Sequence, residues 1–382
     1  MTVWDGLVGQ RAVIATLSRA VGGHGMTHAW LFTGPPGSGR SNAAVAFAAA
    51  LQCEQRTGCD QCHACHTVLA GSHADVVRVR TEKLSIGVDD VRDLVRKAAL
   101  APIGTRWQIM VVEDADRLTD SACNALLKAI EEPTERTVWL LCAPTSEDVL
   151  GTIRSRCRSI ALSTPAPVDV ADFLVRTEGV SESLASYAAR ASQGHIGRAR
   201  ALARDEATRN RRREVVSIPS RLASLGSCMV AATNLHETTQ EEAAAITGEL
   251  DARERVDLDT TYGVVERGRR PREYSPALAA LEKGQKTRAK RRHLDVVDRS
   301  LMDLVSVYRD AIAVATHTSS ALVNEEMRGE ITELARHSGA EANLRRIDAI
   351  FTARQQMLEF NVPPALALES MMVALLSEGG RR

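Results

Sequence analysis

Aromatic side chains are scarce in this sequence: Phe, Trp and Tyr together make up 3% of its 382 residues. Surfaces that bind unpaired bases by stacking depend on such rings, so that mode of nucleic-acid binding is disfavoured. Net charge is absent as well. With 48 Lys and Arg against 48 Asp and Glu, the chain is not one that coats nucleic acid through its overall field, and any DNA contact must be local. Long apolar runs are also missing. The longest, Ala43 to Leu51, is too short to span a bilayer, and the opening Met1-Thr2-Val3-Trp4-Asp5 lacks the basic stretch and apolar core of a secretory signal. A soluble, cytoplasmic protein with no membrane partner is expected. No internal repeat is visible, and the length suits two or three domains.

Cysteine, by contrast, is plentiful and unevenly placed. Of eight cysteines, Cys53, Cys59, Cys62 and Cys65 fall within one short stretch, while Cys123, Cys142, Cys157 and Cys228 are scattered. In a reducing compartment such a cluster points to metal rather than to disulfides. Four thiolates close a tetrahedral zinc shell and leave no position for water, so a structural Zn2+ site is expected in a loop around Gly58. His63 and His66 interleave the cysteines and are alternative ligands. The competing reading is a set of reduced surface thiols.

Short apolar runs alternate with helical patterns up to about residue 163, the mark of an α/β parallel sheet flanked by helices. Strands are expected near 29–33, 75–80, 107–112, 137–142 and 158–162, and helices near 9–22, 40–52, 88–100, 119–131 and 146–153. The turn Thr164-Pro165-Ala166-Pro167 ends this pattern. The expected organisation is therefore a P-loop α/β domain over 1–165 with a zinc module at 53–65, a small helical lid over 166–213, and an all-α C-terminal domain over 214–382. A loop is expected near 251–275, where polar residues, Gly and Arg interrupt the apolar period.

Leu31-Phe32 lead into Gly34-Pro35-Pro36-Gly37-Ser38-Gly39-Arg40-Ser41, followed by an alanine-rich helix. Glycines between a strand and a helix let backbone N–H groups wrap phosphates, with the helix dipole adding to the attraction. This is a Walker A loop in which Arg40 replaces the usual lysine. Arginine keeps the charge but substitutes a broad planar fork for a compact ammonium. ATP with Mg2+ is the candidate ligand of Gly34, Gly37, Gly39, Arg40 and Ser41; a glycine-rich turn without a ligand is the alternative. The strand 108–112 ends in Glu113-Asp114, where a Walker B motif carries Asp-Glu to serve magnesium and the attacking water. The reversed order puts the shorter carboxylate where the longer one is needed, so scaffold without reaction is the expectation. A helix-capping role for one of these acids is the plain alternative.

These residues together resemble a known family, the AAA+ clamp-loader subunits of bacterial DNA polymerase III. The resemblance rests on Leu7-Val8-Gly9-Gln10, His28-Ala29-Trp30-Leu31-Phe32, the P-loop, the cysteine cluster after its helix, Glu113-Asp114-Ala115-Asp116, the run Asn124 to Pro133, and Ile153-Arg154-Ser155-Arg156-Cys157. It covers residues 1–213 specifically and the rest only as a generic helical domain. Within the family, the departures at Arg40 and Glu113-Asp114 resemble the delta-prime subunit, a stator and a poor or inactive ATPase. The gamma/tau motor is the alternative. The resemblance implies a catalytic role for Arg156 as an arginine finger given in trans to a neighbour's ATP; a local surface ion pair is the plain reading. It also implies sensor roles for Thr145 and Arg198 and an adenine-lining role for Val8-Gly9-Gln10, with capping or solvation as alternatives for the first two. Implied partners are the gamma/tau and delta subunits, the sliding clamp, and primer-template DNA through the assembled complex. A reading from another class is a zinc-stabilised DNA-binding module on a borrowed P-loop fold.

One basic feature remains. Between Arg267 and His293 stand ten cations, Arg267, Arg269, Arg270, Arg272, Lys283, Lys286, Arg288, Lys290, Arg291 and Arg292, against Glu273 and Glu282. The segment reads either as a contact for DNA phosphates or an acidic partner, or as the solvated face of a helix beginning near Pro276. Leu301, Leu304, Val305 and Tyr308 read as one packed stripe.

Overall fold

The computed structural model describes residues 2–81, 85–104, 106–264 and 271–377. These form two compact units, one up to Arg204 and one from Asp205 onward. Among the described residues no helix is long and apolar enough to cross a membrane.

The first unit opens with α1 (Arg11–Val21), β1 (Ala29–Thr33), α2 (Arg40–Gln52) and α3 (His63–Ala70). It continues through β2 (Val76–Val79), α4 (Val88–Ala98), β3 (Gln108–Val112), α5 (Asp120–Glu131), β4 (Thr137–Ala143), α6 (Gly151–Arg154) and β5 (Arg158–Ala161). The strands make one sheet in the order β2-β3-β4-β1-β5, every pairing parallel. β1, β3 and β4 are buried along their whole length, as strands covered on both faces must be, which is why they read as unbroken apolar runs. Alternate residues divide between two cores. Trp30, Phe32, Ile109, Val111, Val138 and Leu140 pack with α1, α2 and α3. Leu31, Met110, Val112, Trp139 and Leu141 pack with α4, α5 and α6 on the other face. α2 is buried on all sides from Ala43 to Gln52, and its alanines allow that close approach.

Three helices complete the unit: α7 (Pro167–Glu178), α8 (Glu182–Ser192) and α9 (Ile196–Arg204). Val170, Phe173, Leu174, Ala188 and Leu202 form their own core, which takes in Val8 of the N-terminal segment. Ser181 caps α8 by accepting the Leu184 N–H.

The second unit is helical: α10 (Glu206–Val216), α11 (Ile218–Arg221), α12 (Leu225–Thr261), α13 (Tyr274–Ala315), α14 (Arg328–Leu358) and α15 (Pro364–Ser377). Leu301, Leu304 and Tyr308 lie fully buried at the centre of its core with Ile350, Leu368 and Met372. The Arg212 guanidinium is buried against Asp303 and Asn324, an ion pair that is costly to break from one side.

Four details correct the sequence reading. Residues 206–213, expected with the lid, belong to α10 of the second unit. The loop expected over 251–275 is helical to Thr261, and α13 resumes at Tyr274. This hairpin is tied by polar contacts that leave no apolar period, Arg288 to Asp251 and Glu254 and Tyr274 to Asp259. The cysteine stretch is not all loop, since α3 starts at His63. The helix expected over 146–153 shrinks to Gly151–Arg154, because Asp148 instead accepts the N–H and hydroxyl of Thr145 in a turn. Arg267, Arg269 and Arg270 lie outside the described residues.

Candidate functional site

Both ends of α2 carry candidate chemistry. At its N-terminus Gly37 and Gly39 adopt the left-handed conformation, φ 85° and 90°, which other residues rarely enter. A Cβ on Gly37 would stand 2.4 Å from Cγ of His195, so the loop and the residue before α9 are in direct contact there. Arg40 folds back on the loop and donates from Nη1 to the Gly34 carbonyl at 2.8 Å. Ser38 Oγ and Arg40 Nε are buried and have no hydrogen-bond partner.

At the end of β3, Glu113 is buried and pairs with Arg78 on β2, Oε1 to Nη2 at 2.9 Å. Next to it, burial pushes the Asp116 carboxyl above the usual range; its own backbone N–H, Arg117 and Arg40 oppose the shift, and Asp114 adds to it. Cys142, next to last in β4, lies near these groups, its thiol pushed up to about 12 by burial and by Glu113, with Arg40 and a hydrogen bond from Ser41 opposing. Two of the charged groups expected at ATP and magnesium are thus engaged within the protein, Arg40 by the Gly34 carbonyl and Glu113 by Arg78. They do not present a free ammonium and a magnesium-facing carboxylate pair, so no step is routed through bound ATP in this chain.

The sensor positions are similarly engaged. Thr145 is exposed and gives both its N–H and its hydroxyl to Asp148. The Arg198 N–H donates to His195 Nδ1 at 3.2 Å. Val8, Gly9 and Gln10 line a groove of about 1030 Å³ with Ile14, Ala171 and Val175, and Gln10 donates to the Ser163 carbonyl.

Arg156 follows α6 directly. Ile153 on one side is fully buried, and the Cys157 thiol on the other is pushed up to about 12 by burial. Between these anchors the Arg156 side chain is 40% exposed, paired with Glu131 at 2.6 Å and donating to the Thr152 carbonyl at 2.8 Å. A guanidinium has five donors, so these contacts orient the fork without using it up.

At the other end of α2 the four cysteines do come together. The Sγ atoms of Cys53, Cys59, Cys62 and Cys65 all lie within 4.8 Å of one another. Bonds of about 2.3 Å to one tetrahedral zinc put sulfurs roughly 3.8 Å apart, so a small contraction would close the shell. Cys53 ends α2, Cys62 caps α3 and Cys65 lies in its first turn. The N–H groups of Cys59 and Cys65 donate to Cys53 and Cys62 Sγ at 3.5 Å. Burial opposes ionisation of Cys53, but backbone N–H groups led by that of Cys59 outweigh it and draw the thiol down to about 5. Burial holds Cys65 up. Gly58 allows the turn: at φ 71° its missing Cβ would fall 2.5 Å from Val3 Cγ2. His66 is exposed and bonds the Asp60 carbonyl, and neither it nor His63 joins the sulfur group. The cluster can hold a metal ion.

Sequence reasoning missed Arg78, Glu131 and His195. Arg78 and Glu131 meet their partners across 25 or more residues of sequence, and only the apolar strand β2 around Arg78 hinted that its side chain would sit in a structured place.

Comparison with known proteins adds the family context. A family model described as DNA polymerase III, delta subunit, matches residues 9–166. The delta' subunit of Escherichia coli is 36% identical over 184 residues, which are 46% of this chain and 54% of that protein. The tau subunit of Bacillus subtilis is 34% identical over 158 residues, 41% of this chain and 28% of that protein. The gamma/tau subunit of Mycobacterium tuberculosis is 34% identical over 188 residues, 47% and 32%. A gamma subunit-related protein of Thermotoga maritima aligns over 96% of this chain and 99% of its own, at TM-score 0.44 and 16% identity. The chain thus spans about a quarter to a half of the curated relatives it matches.

Proposed function

We propose that this chain, whose residues 9–166 match a family model described as DNA polymerase III, delta subunit, is a bacterial clamp-loader subunit of the AAA+ kind and of the delta-prime type, a stator that supplies Arg156 to a neighbour's ATP. The observation that carries the proposal is the contrast between two arginines. Arg40, in this chain's own phosphate loop, is turned inward onto the Gly34 carbonyl. Arg156 is partly exposed on a turn pinned by Ile153 and Cys157.

On this reading Glu131 and the Thr152 carbonyl hold the guanidinium plane, and its remaining N–H groups reach the γ-phosphate oxygens of ATP on an adjoining gamma/tau subunit. There the fork stabilises charge that develops as the phosphoryl group leaves. The four-cysteine cluster holds Zn2+ as a structural ion, with no open position for catalysis. Thr145 and Arg198 serve as caps and lid contacts in this subunit. The sliding clamp and primer-template DNA are reached through the assembled loader, in the reducing cytoplasm that keeps the thiols available.

The test is reconstitution with gamma/tau and delta subunits. The isolated chain should turn over no ATP. Arg156→Ala should leave assembly intact and slow single-turnover hydrolysis at the adjoining site by about 10³-fold or more. Turnover by the isolated chain at a motor-like rate would instead make it a gamma/tau-type motor. Unchanged hydrolysis next door, with an intact ring, would reduce Ser155-Arg156-Cys157 to a structural turn.

A further inference from the structure

We propose that the outer face of the first half of α13, carrying Lys283, Lys286 and Lys290, is a docking surface for the phosphate backbone of duplex DNA. The α12–α13 hairpin explains why these lysines are available. The apolar core of the second unit takes residues from α12 only as far as Leu235 and from α13 only from Leu294 onward. Beyond it the two helices are joined mainly by polar contacts. Arg288 pairs with Asp251 and Glu254, Arg255 with Glu282, and Gln285 donates to the Asp251 carbonyl.

The half of α12 over 240–261 offers seven carboxylates: Glu241, Glu242, Glu249, Asp251, Glu254, Asp257 and Asp259. Even so, Lys283, Lys286 and Lys290 are exposed, and among the described residues none has a carboxylate in ion-pair range. Helical geometry accounts for this. At about 100° per residue the three lysines fall within an arc of roughly 60°, while Gln285 and Arg288, which bond α12, lie on the opposite side. Pro276 and Ala279 continue the lysine face toward the hairpin's end. No acid interrupts that face between Ser275 and Lys290, since Glu282 lies off it and is tied to Arg255.

The occupant follows from the chemistry of the face. The lysines span about 10 Å of rigid helix, a length that meets roughly three phosphates along one DNA strand. Lysine ammoniums are mobile point charges suited to a phosphate backbone, whereas Arg288, whose fork matches carboxylates, is turned inward onto Asp251 and Glu254. A protein partner would want an aromatic or large apolar anchor, and the face offers only Pro276, Ala279 and Thr287 beside the lysines. It has no ring on which an unpaired base would stack, so duplex is favoured over single strand. This inference stands apart from the role of Arg156.

Binding of the full chain to a labelled duplex of about two helical turns, followed by anisotropy from about 50 to 200 mM salt, tests it. The triple substitution Lys283→Gln, Lys286→Gln, Lys290→Gln should weaken binding and flatten the log–log salt slope by about 3. Helical circular dichroism and the unfolding midpoint should not move, since among the described residues the lysines have no ion pairs to lose. A matched triple on α14, Arg328→Gln, Arg336→Gln, Arg345→Gln, should leave binding unchanged. No binding by the native chain, an unaltered slope in the lysine variant, or an equal loss in the α14 variant would overturn the proposal. So would loss of binding to poly-glutamate with duplex binding intact, which would assign the face to an acidic protein.

Discussion

The two ends of α2 make an instructive pair. At the C-terminal end Cys53, Cys59, Cys62 and Cys65 converge on one point, with backbone N–H groups aimed at two of the sulfurs. Four sulfurs gathered in this way could hold a metal ion. At the N-terminal end two charged groups have partners inside the protein, Arg40 on the Gly34 carbonyl and Glu113 on Arg78. A motif's spacing thus predicts where groups will lie, but their mutual pairing decides whether anything else is required to complete them.

The sharpest way to break this comparison is at the cysteine end. Cys62→Ser, at a partly exposed position, should abolish the roughly one zinc per chain expected from elemental analysis. Structural zinc contributes about 10–16 kcal/mol in peptides that fold around it, and only part of that range applies here because the sheet and its two apolar cores remain. A loss of several kcal/mol, read by thermal unfolding and reproduced in the native chain by a strong chelator, is the expected outcome. A native chain that holds no metal and is indifferent to both treatments would make the cluster four reduced thiols.

A smaller effect is expected at the other end. Arg40→Lys removes the donor to the Gly34 carbonyl and restores the compact cation that phosphate loops use. It should cost about 1 kcal/mol of stability, the worth of one net hydrogen bond, and should raise affinity for a fluorescent ATP analogue measured by titration. If the native chain already binds the analogue as tightly as the variant, the inward-turned arginine is no obstacle and the contrast between the two ends fails.

How far the sequence foretold this arrangement depended on the kind of signal. The strands were legible because a sheet covered on both faces needs apolar runs, as in Ile109 to Val112 and Val138 to Ala143. The distal hairpin was not, since Arg288, Asp251 and Glu254 make a stable helix pair out of residues that read as loop. α3 was missed because its eight residues are too few to show a period and lie among the clustered cysteines, with Cys62 as cap and Cys65 in the first turn. The gathering of the four cysteines was legible from spacing, because they are near in sequence. The pairings of Glu113 with Arg78 and Arg156 with Glu131 were not, since each joins strands or turns that only the folded sheet brings together.

The smallest effect probes the same N-terminal end through Asp116. Burial lifts its carboxyl, and Oδ1 is buried with no hydrogen-bond partner. A group whose folded pKa is raised disfavours its ionised form in the native state. Its stabilising contribution is complete below the unfolded value of about 3.9 and is lost as pH rises through the folded value. At neutral pH the ionised Asp116 is therefore a small liability. Asp116→Asn should raise stability there by less than about 1 kcal/mol, since the group is only partly buried and solvent screens it. In acid, below about pH 4, variant and native chain should unfold together. Denaturant unfolding at the two pH values reads the difference directly. A variant less stable at neutral pH, or one in which magnesium-dependent nucleotide binding disappears, would mean that this carboxylate serves a ligand, and that the two ends of α2 do not differ in kind.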